Sequence, residues 1–326
     1  MEYLIGIDLG GTNIAIGLVE NTGNIVREIT IPTMAPRPAQ ALIQDITNSI
    51  EIIIKDARLD EIDIAGIGMG VPSPVHPVTS KLLHAYNLGL QDIDFYTLLK
   101  EKYPTKKITV FNDADCAVYG EGLFGNGVGY KSVFLFTIGT GLGTAFFLNG
   151  ELFLGGTQYG IEFGHTTIVD NGRQCTCGKK GCLDAYVSIN GFRFASKEIL
   201  ERQCNIPSWG KEHVCTSFSK LNPRVVFDAA KKGDLYAKQI VNYFANYLAI
   251  GVRNAIVSYR PDIILIGGGI GQAGNVLIQP LRQLVDQKLS MSDGIPPVPI
   301  KNCKLGNNAG VLGAAFLSSP IEFHFN

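Results

Sequence analysis

Four residues have the types and spacing to hold a metal ion. Cys175, Cys177 and Cys182 fall in the stretch CTCGKKGCLD at 175–184, and His165 lies ten residues before the first of them, in EFGH. The chain has seven cysteines in 326 residues, so three within eight positions need a reason. A disulfide, a redox pair and a metal compete. Three thiolates and an imidazole are the soft ligands of a tetrahedral Cys3His zinc site, and four protein ligands would close the shell and make the ion structural. Gly178 and Gly181 allow the tight turns that wrapping thiolates around one ion requires. Free surface thiols beside an unrelated histidine are the plainer alternative, since C-x-C is not the usual C-x2-C knuckle. Cys116, Cys204, Cys215 and Cys303 have no such company and read as packing or surface residues.

A second group of residues could move a proton. In ITVFNDADCAVYGEG (108–122) an apolar strand ends in Asn112-Asp113 and a helix starts at once. The carboxyl end of a strand in an α/β sheet is where ligands sit. Asp113 is therefore a candidate general base and Asn112 a partner for a hydroxyl. The competing reading is that Asp113 or Asp115 only caps the helix. Asn87 in HAYNLG, Glu162 in YGIEFGH and Asp184 stand among glycines in expected loops. Amides and carboxylates suit hydroxyl groups, which both donate and accept hydrogen bonds. That inventory fits a sugar better than a nucleic acid or a lipid.

The elements that must carry these groups show an internal echo. Residues 4–19, LIGIDLGGTNIAIGLV, and 133–148, VFLFTIGTGLGTAFFL, each read as strand, glycine-rich turn and strand. The pair predicts a duplicated α/β unit opening each of two domains. Asp8 and Thr137 end the first strands, and glycine-bared backbone N–H groups bind anions well, so a phosphate clamped between two lobes is expected. No G-x4-G-K-[ST] occurs, so this is not a P-loop protein. PDIILIGGGIGQAG (261–274) reads as a buried strand entering a glycine turn, out of order for a dinucleotide fingerprint but open to nucleotide contact. Segment 224–259 predicts two helices broken by a Gly-Asp turn, 36–57 a helix after Pro36 and Pro38, and 307–319 a closely packing small-residue helix. The echo puts the domain boundary near residue 114, with domains over 1–114 and 115–306 and helix 307–326 completing the first.

Composition removes other classes. The length suits two domains with a sizeable core. Net charge is −1 and basic residues are scattered, with no nucleic-acid footprint. The start MEYLIGIDLGG lacks the features of a signal peptide, and no apolar run is long enough to span a membrane. A cytosolic (cytoplasmic) protein is expected, where lasting disulfides are uncommon, and this moves the cysteine stretch toward a metal.

These motifs resemble the ROK family of bacterial sugar kinases and related repressors, within the actin/hexokinase-like ATPase superfamily. DLGGT at 8–12 looks like the family's first phosphate loop and TIGTGLG at 137–143 its second. The run from Gly139 through Gly155, Gly156 and Gly160 to Gly164-His165 follows the family signature. E-x-G-H at 162–165 and C-x-C-G-x2-G-C at 175–182 are its most distinctive elements. The resemblance covers nearly the whole chain and implies an α/β, two-domain actin-like (ribonuclease H-like) fold with duplicated units and an interdomain cleft. It implies zinc on His165, Cys175, Cys177 and Cys182. It implies Asp113 as catalytic base, with Asn87, Asn112, Glu162, His165 and Asp184 on the sugar. Asp8, Gly10, Gly11, Thr12, Asn13, Thr140 and Gly141 would serve ATP and Mg2+, and Gly267, Gly268 and Gly269 the adenosine. The implied activity is phosphoryl transfer from ATP to a hexose, glucose first, with N-acetylmannosamine, allose, fructose and mannose as alternatives, in a homodimer. A repressor would carry a helix-turn-helix before the first loop, and DLGGT at residue 8 leaves no room for one. A pure sensor would most simply lack the base, and Asp113 is present. Two positions depart from the pattern: Asp184 stands where the family usually has glutamate, and Asp115 where it has asparagine. The first opens the question of sugar identity. The second is read as a local structural variation.

Overall fold

The structure is a computed structural model that describes residues 2–202, 207–211, 218–287 and 296–320. Cys204 and Cys215 lie outside the described residues. The chain divides into two compact units, one made of Met1–Val133, Ala145–Ile161 and the segment from Lys304, the other of Phe134–Thr144 and Glu162–Cys303.

The first unit is built on five strands. β1 (Tyr3–Leu9), β2 (Asn13–Glu20) and β3 (Ile25–Pro32) form an antiparallel meander. β4 (Ile64–Val71) runs parallel to β1, and after a small hairpin of β5 (Leu82–Ala85) and β6 (Leu90–Ile93), β7 (Lys107–Asn112) runs parallel to β4. The sheet order is β3-β2-β1-β4-β7. β1 and β4 are buried along nearly their whole length, as parallel strands covered on both faces must be. One cover is α1 (Ala39–Asp56), which follows Pro38 and buries Leu42, Ile43, Ile46, Ile50 and Ile53 at helical spacing. α2 (Phe95–Lys102) adds Phe95 and Leu99 to the same core, and α3 (Asp113–Phe124) leaves β7 without an intervening loop.

The second sheet contains β8 (Ser132–Ile138), β9 (Leu142–Leu148), the short β10 (Glu151–Leu152), β11 (Ile263–Gly267) and β12 (Ile300–Asn302), in the order β10-β9-β8-β11-β12. This is the plan of the first sheet repeated: third, second, first, fourth, fifth. The echo between 4–19 and 133–148 was thus the trace of a duplicated sheet. The second unit's helices are α4 (Ile189–Leu200), α5 (Pro223–Lys231), α6 (Leu235–Tyr259), the single turn α7 (Gly268–Gly271) and α8 (Asn275–Asp286). The break between α5 and α6 falls at Gly233-Asp234, and Asp234 caps α6 by accepting from the Ala237 N–H.

The last helix, α9 (Asn308–Leu317), lies on the first sheet. Its approach is so close that a Cβ on Gly68 would fall on the Ala314 carbonyl, and one on Gly313 on the carbonyl of Cys116 in α3. Bare backbone on both sides is what permits the contact. The same packing holds α3 to α9 within the first compact unit, whose first segment runs to Val133.

Candidate functional site

The second unit gathers the four metal-ligand candidates. One donor atom each from His165, Cys175, Cys177 and Cys182 lies within 4.8 Å of all the others. His165 Nδ1 is 3.6 Å from Cys175 Sγ, and the Cys177 and Cys182 sulfurs are 3.6 Å apart. Sulfurs at about 2.3 Å from a tetrahedral ion would be about 3.8 Å apart, so the two 3.6 Å pairs are consistent with a structural zinc site. Backbone bonds set that spacing: Cys175 N donates to Lys179 O and Gly178 N to Cys175 O, while Thr167 and Cys182 form a bridge. All three cysteines are free thiols. Burial pushes the Cys175 thiol up to about 12, so a cation bound against it must displace its proton. With Nδ1 turned toward the sulfurs, His165 presents Nε2 to Glu162, 3.8 Å from its Oε2. A ligated Nδ1 would keep the proton on Nε2, which could donate to a carboxylate or a hydroxyl. Glu162 is more than half exposed at 55% and remains open to solvent.

Asp184 sits behind this cluster and is buried. Its Oδ1 accepts from the Leu142 N–H at 2.6 Å, and its Oδ2 accepts from the Cys175 thiol at 3.7 Å. Both oxygens are engaged while the Cys175 thiol keeps its proton; with a metal in place, the Leu142 N–H would remain as partner of Oδ1. Its partner Leu142 directly follows the second glycine turn. That turn is closed by Gly139 N donating to Gly141 O at 2.9 Å and is held by Ile189 N, at the head of α4, donating to Gly139 O at 2.8 Å. Thr140 and Gly141 are exposed at its tip. Gly267 ends β11 beside it, and Gly268 and Gly269 follow. Gly268 has φ +74°, and a Cβ there would come within 2.5 Å of the Ile138 backbone, so no other residue fits.

The first unit holds the first turn and the acids. Gly10 N donates to Asn13 O, and Gly11, Thr12 and Asn13 are exposed. Thr33 at the end of β3 braces this turn twice, its hydroxyl donating to Gly10 O at 2.7 Å and its N–H to Thr12 O at 2.8 Å. Asp8 is held against the first turn of α9, where a Cβ on Gly310 would lie 2.6 Å from its Oδ2. Burial pushes its pKa up from 3.8 to about 6. Asn112 is the N-cap of α3: its side-chain oxygen accepts from Ala114 N, and its amide donates to Ser73 O. Asp113 is then the first helical residue, and its Oδ1 also accepts from Ala114 N at 2.8 Å. The capping position therefore belongs to Asn112, not to Asp113 or Asp115. Asp8, Asp113 and Asp115 share one neighbourhood, since after burial itself it is the charges of Asp115, Asp8 and Asp113 that push the Cys116 thiol up. A cavity of about 250 Å³ in this unit is lined by Asn112, Asp115, His76 and Tyr159. Asn87 lies in the single helical turn Tyr86–Leu88, and its side chain falls outside what the structure describes.

The chain thus carries two glycine turns on a repeated sheet, an acid at a strand end and a cysteine–histidine cluster. The model of the ROK family matches residues 4–320. The chain belongs to the ROK family. It is 31% identical to the glucokinase of Halalkalibacterium halodurans over 98% of this chain and 96% of that one. It is 32% identical to the glucokinase of Thermotoga maritima, with 96% of each chain covered. Among solved structures, a ROK family glucokinase from Streptomyces griseus in complex with glucose and AMPPNP superposes with a TM-score of 0.83 at 26% identity, over 97% of this chain and 98% of that one. This ROK chain has the actin-like ATPase fold expected from its sequence, and among the described residues no helix is long and apolar enough to cross a membrane.

Sequence reasoning missed the supports. Thr33 carries no spacing signal toward Gly10, 23 residues before it. Thr144 was read only as part of a strand, yet its hydroxyl accepts from Phe163 N at 3.2 Å and ties β9 to the turn carrying Glu162 and His165. Arg173, just before the cysteines, bonds Glu198 and Tyr243 and lies over the Tyr186 ring at 4.7 Å, anchoring the cysteine loop to α4 and α6. Only its nearness to the cysteines could have drawn attention to it.

Proposed function

We propose that this chain is an ATP-dependent hexose kinase that transfers the γ-phosphate of ATP to a sugar hydroxyl, with glucose as first substrate. The observation that carries the reading is Asp113, a carboxylate at the end of a parallel strand and the head of a helix, in a ROK chain that aligns along its length with glucokinases. Asp113 takes the hydroxyl proton as the sugar oxygen attacks phosphorus. Phosphoryl transfer passes through a loose transition state, so positioning and charge neutralisation contribute most of the acceleration.

The first turn, closed by the Gly10 N–H and exposed at Gly11, Thr12 and Asn13, and the second, exposed at Thr140 and Gly141, offer backbone to the phosphates. Gly267, Gly268 and Gly269 offer bare backbone to the adenosine. Asn87, Asn112, Glu162 and His165 are assigned to sugar hydroxyls. Mg2+ bound near Asp8 would neutralise phosphate charge, and zinc held by His165, Cys175, Cys177 and Cys182 would fix the loop and orient His165 toward Glu162. A cytosolic homodimer completes the reading.

The test is a coupled ADP-release assay with glucose, mannose, fructose, allose and N-acetylmannosamine. Sugar-dependent ADP release, greatest with glucose, is the expected result. No release above background with any of these sugars would reject a hexose kinase, and a higher kcat/KM for another sugar would reassign the substrate.

A further inference from the structure

We infer that Asp184 is a positioning residue for the second glycine turn, and that through it the cysteine–histidine cluster braces the phosphate-binding backbone. The inference rests on the kinase reading for its kinetic consequences, though not for its geometry. Two observations meet in this one side chain. Oδ1 accepts the Leu142 N–H at 2.6 Å, a charge-assisted bond to the residue that follows Gly141. In the metal-free cluster Oδ2 accepts from the Cys175 thiol at 3.7 Å, and with a metal in place the short main chain from Cys182 to Asp184 would carry the connection instead.

The backbone around Asp184 is anchored on both sides. Cys182, two residues before it, belongs to the cluster, and Ile189, five residues after it, donates to Gly139 O at 2.8 Å. The segment 182–189 therefore grips the turn at both ends, at Gly139 by main chain and at Leu142 by the Asp184 carboxylate. Gly141 completes the fit, because a Cβ there would stand 3.0 Å from Asp184 Oδ1. With 8% of its surface exposed, Asp184 has little access to a sugar, and an uncompensated buried carboxylate would be costly. Its chemistry is spent on the amide. A side chain one methylene longer would not place its oxygen at the same point, so aspartate at this position belongs to the bracing role.

Two variants separate this role from direct sugar contact. Asp184→Ala removes the acceptor, whereas Asp184→Asn keeps a side-chain oxygen at Oδ1 and loses only the charge. Amide hydrogen exchange of Leu142 should accelerate at least tenfold in Asp184→Ala and stay within about threefold of wild type in Asp184→Asn. AMPPNP affinity and KM for ATP should weaken by about tenfold in the first and about twofold in the second, with KM for the sugar within twofold in both. Zinc content and circular dichroism identify a variant that has lost its fold, in which case Asp184→Asn decides alone. Unchanged Leu142 exchange in a folded Asp184→Ala would overturn the inference. So would a tenfold rise in the sugar KM of Asp184→Asn with unaltered AMPPNP affinity. Wild-type protein without sugar-dependent ADP release would instead reject the kinase reading, and the exchange measurement would still judge the brace.

Discussion

The two glycine turns occupy the same place in two copies of one sheet plan, yet they are supported by different means. The first, at Gly10–Asn13, is braced by its own sheet: Thr33 at the end of β3 returns a hydroxyl and an amide to it. The second, at Gly139–Gly141, is braced from outside its sheet by Asp184 and Ile189, which follow the cysteine loop. Near the first turn stand acids, Asp8 and Asp113. Near the second stands the cluster of His165, Cys175, Cys177 and Cys182. Duplication supplied two similar glycine turns, and the difference lies in what stands behind each: carboxylates behind one, Asp184 and the cysteine–histidine cluster behind the other.

The largest effect should come from the acid side. Asp113→Asn is expected to lower kcat by roughly 10²–10⁴-fold, the usual contribution of a positioned proton acceptor. AMPPNP affinity and the unfolding midpoint should hardly move. Steady-state kinetics beside a nucleotide titration checks this, and turnover near the wild-type rate would leave Asp113 with no catalytic part. On the scaffold side, Cys177→Ser should abolish the one zinc per chain expected by metal analysis. It should lower stability by roughly 4 kcal/mol, the linkage expected when an ion is present at about a thousand times its Kd. Equal thermal midpoints with and without a chelator would show that the second turn needs no metal behind it.

These two expectations also mark how far the sequence could be read. The repeated strand–glycine–strand pattern disclosed the sheet plan, because a turn without side chains is a local property. The packing of α3 against α9 was not legible, because the two are nearly two hundred residues apart. His165 and the cysteines were legible since metal ligands must be particular residue types at short spacing, and the structure brings all four together. Asp184 was legible as chemistry and not as geometry: its partner is the backbone amide of Leu142, and main-chain partners leave no mark on residue type.

Smaller effects sharpen the contrast. In metal-free protein, burial raises the Asp8 pKa from 3.8 to about 6. Between those values the folded chain keeps a proton that the unfolded chain has lost, so stability falls as pH rises through the window and levels off above about 6. Asp8→Asn removes that dependence and should be more stable than wild type by about 3 kcal/mol at pH 8, with little difference at pH 4. Urea unfolding at the two pH values measures it, and an equal difference at both would exclude this titration. Thr33→Val removes one hydrogen bond from the first turn, worth about 1 kcal/mol, and should weaken AMPPNP binding about fivefold. Leu142 exchange should stay as in wild type. A faster Leu142 exchange in Thr33→Val would mean that the two turns do not have separate supports.

The place of α9 bears on how the molecule is made. β1 begins at Tyr3 and α9 at Asn308, so about 300 residues are synthesised between the sheet and the helix that covers it. During that interval the glycine grooves at Gly6 and Gly68 have no helix to receive, and the apolar face around Leu4 and Val19 stays wet. Closing so long a loop is a late event, and contacts of such sequence separation slow folding. The second unit, whose main segment Glu162–Cys303 is continuous, can collapse while the first still waits. On the ribosome, then, the copy of the sheet beside the cysteine–histidine cluster should mature before the acid-bearing one, and a nascent chain stalled before residue 308 should expose the surface that draws chaperones.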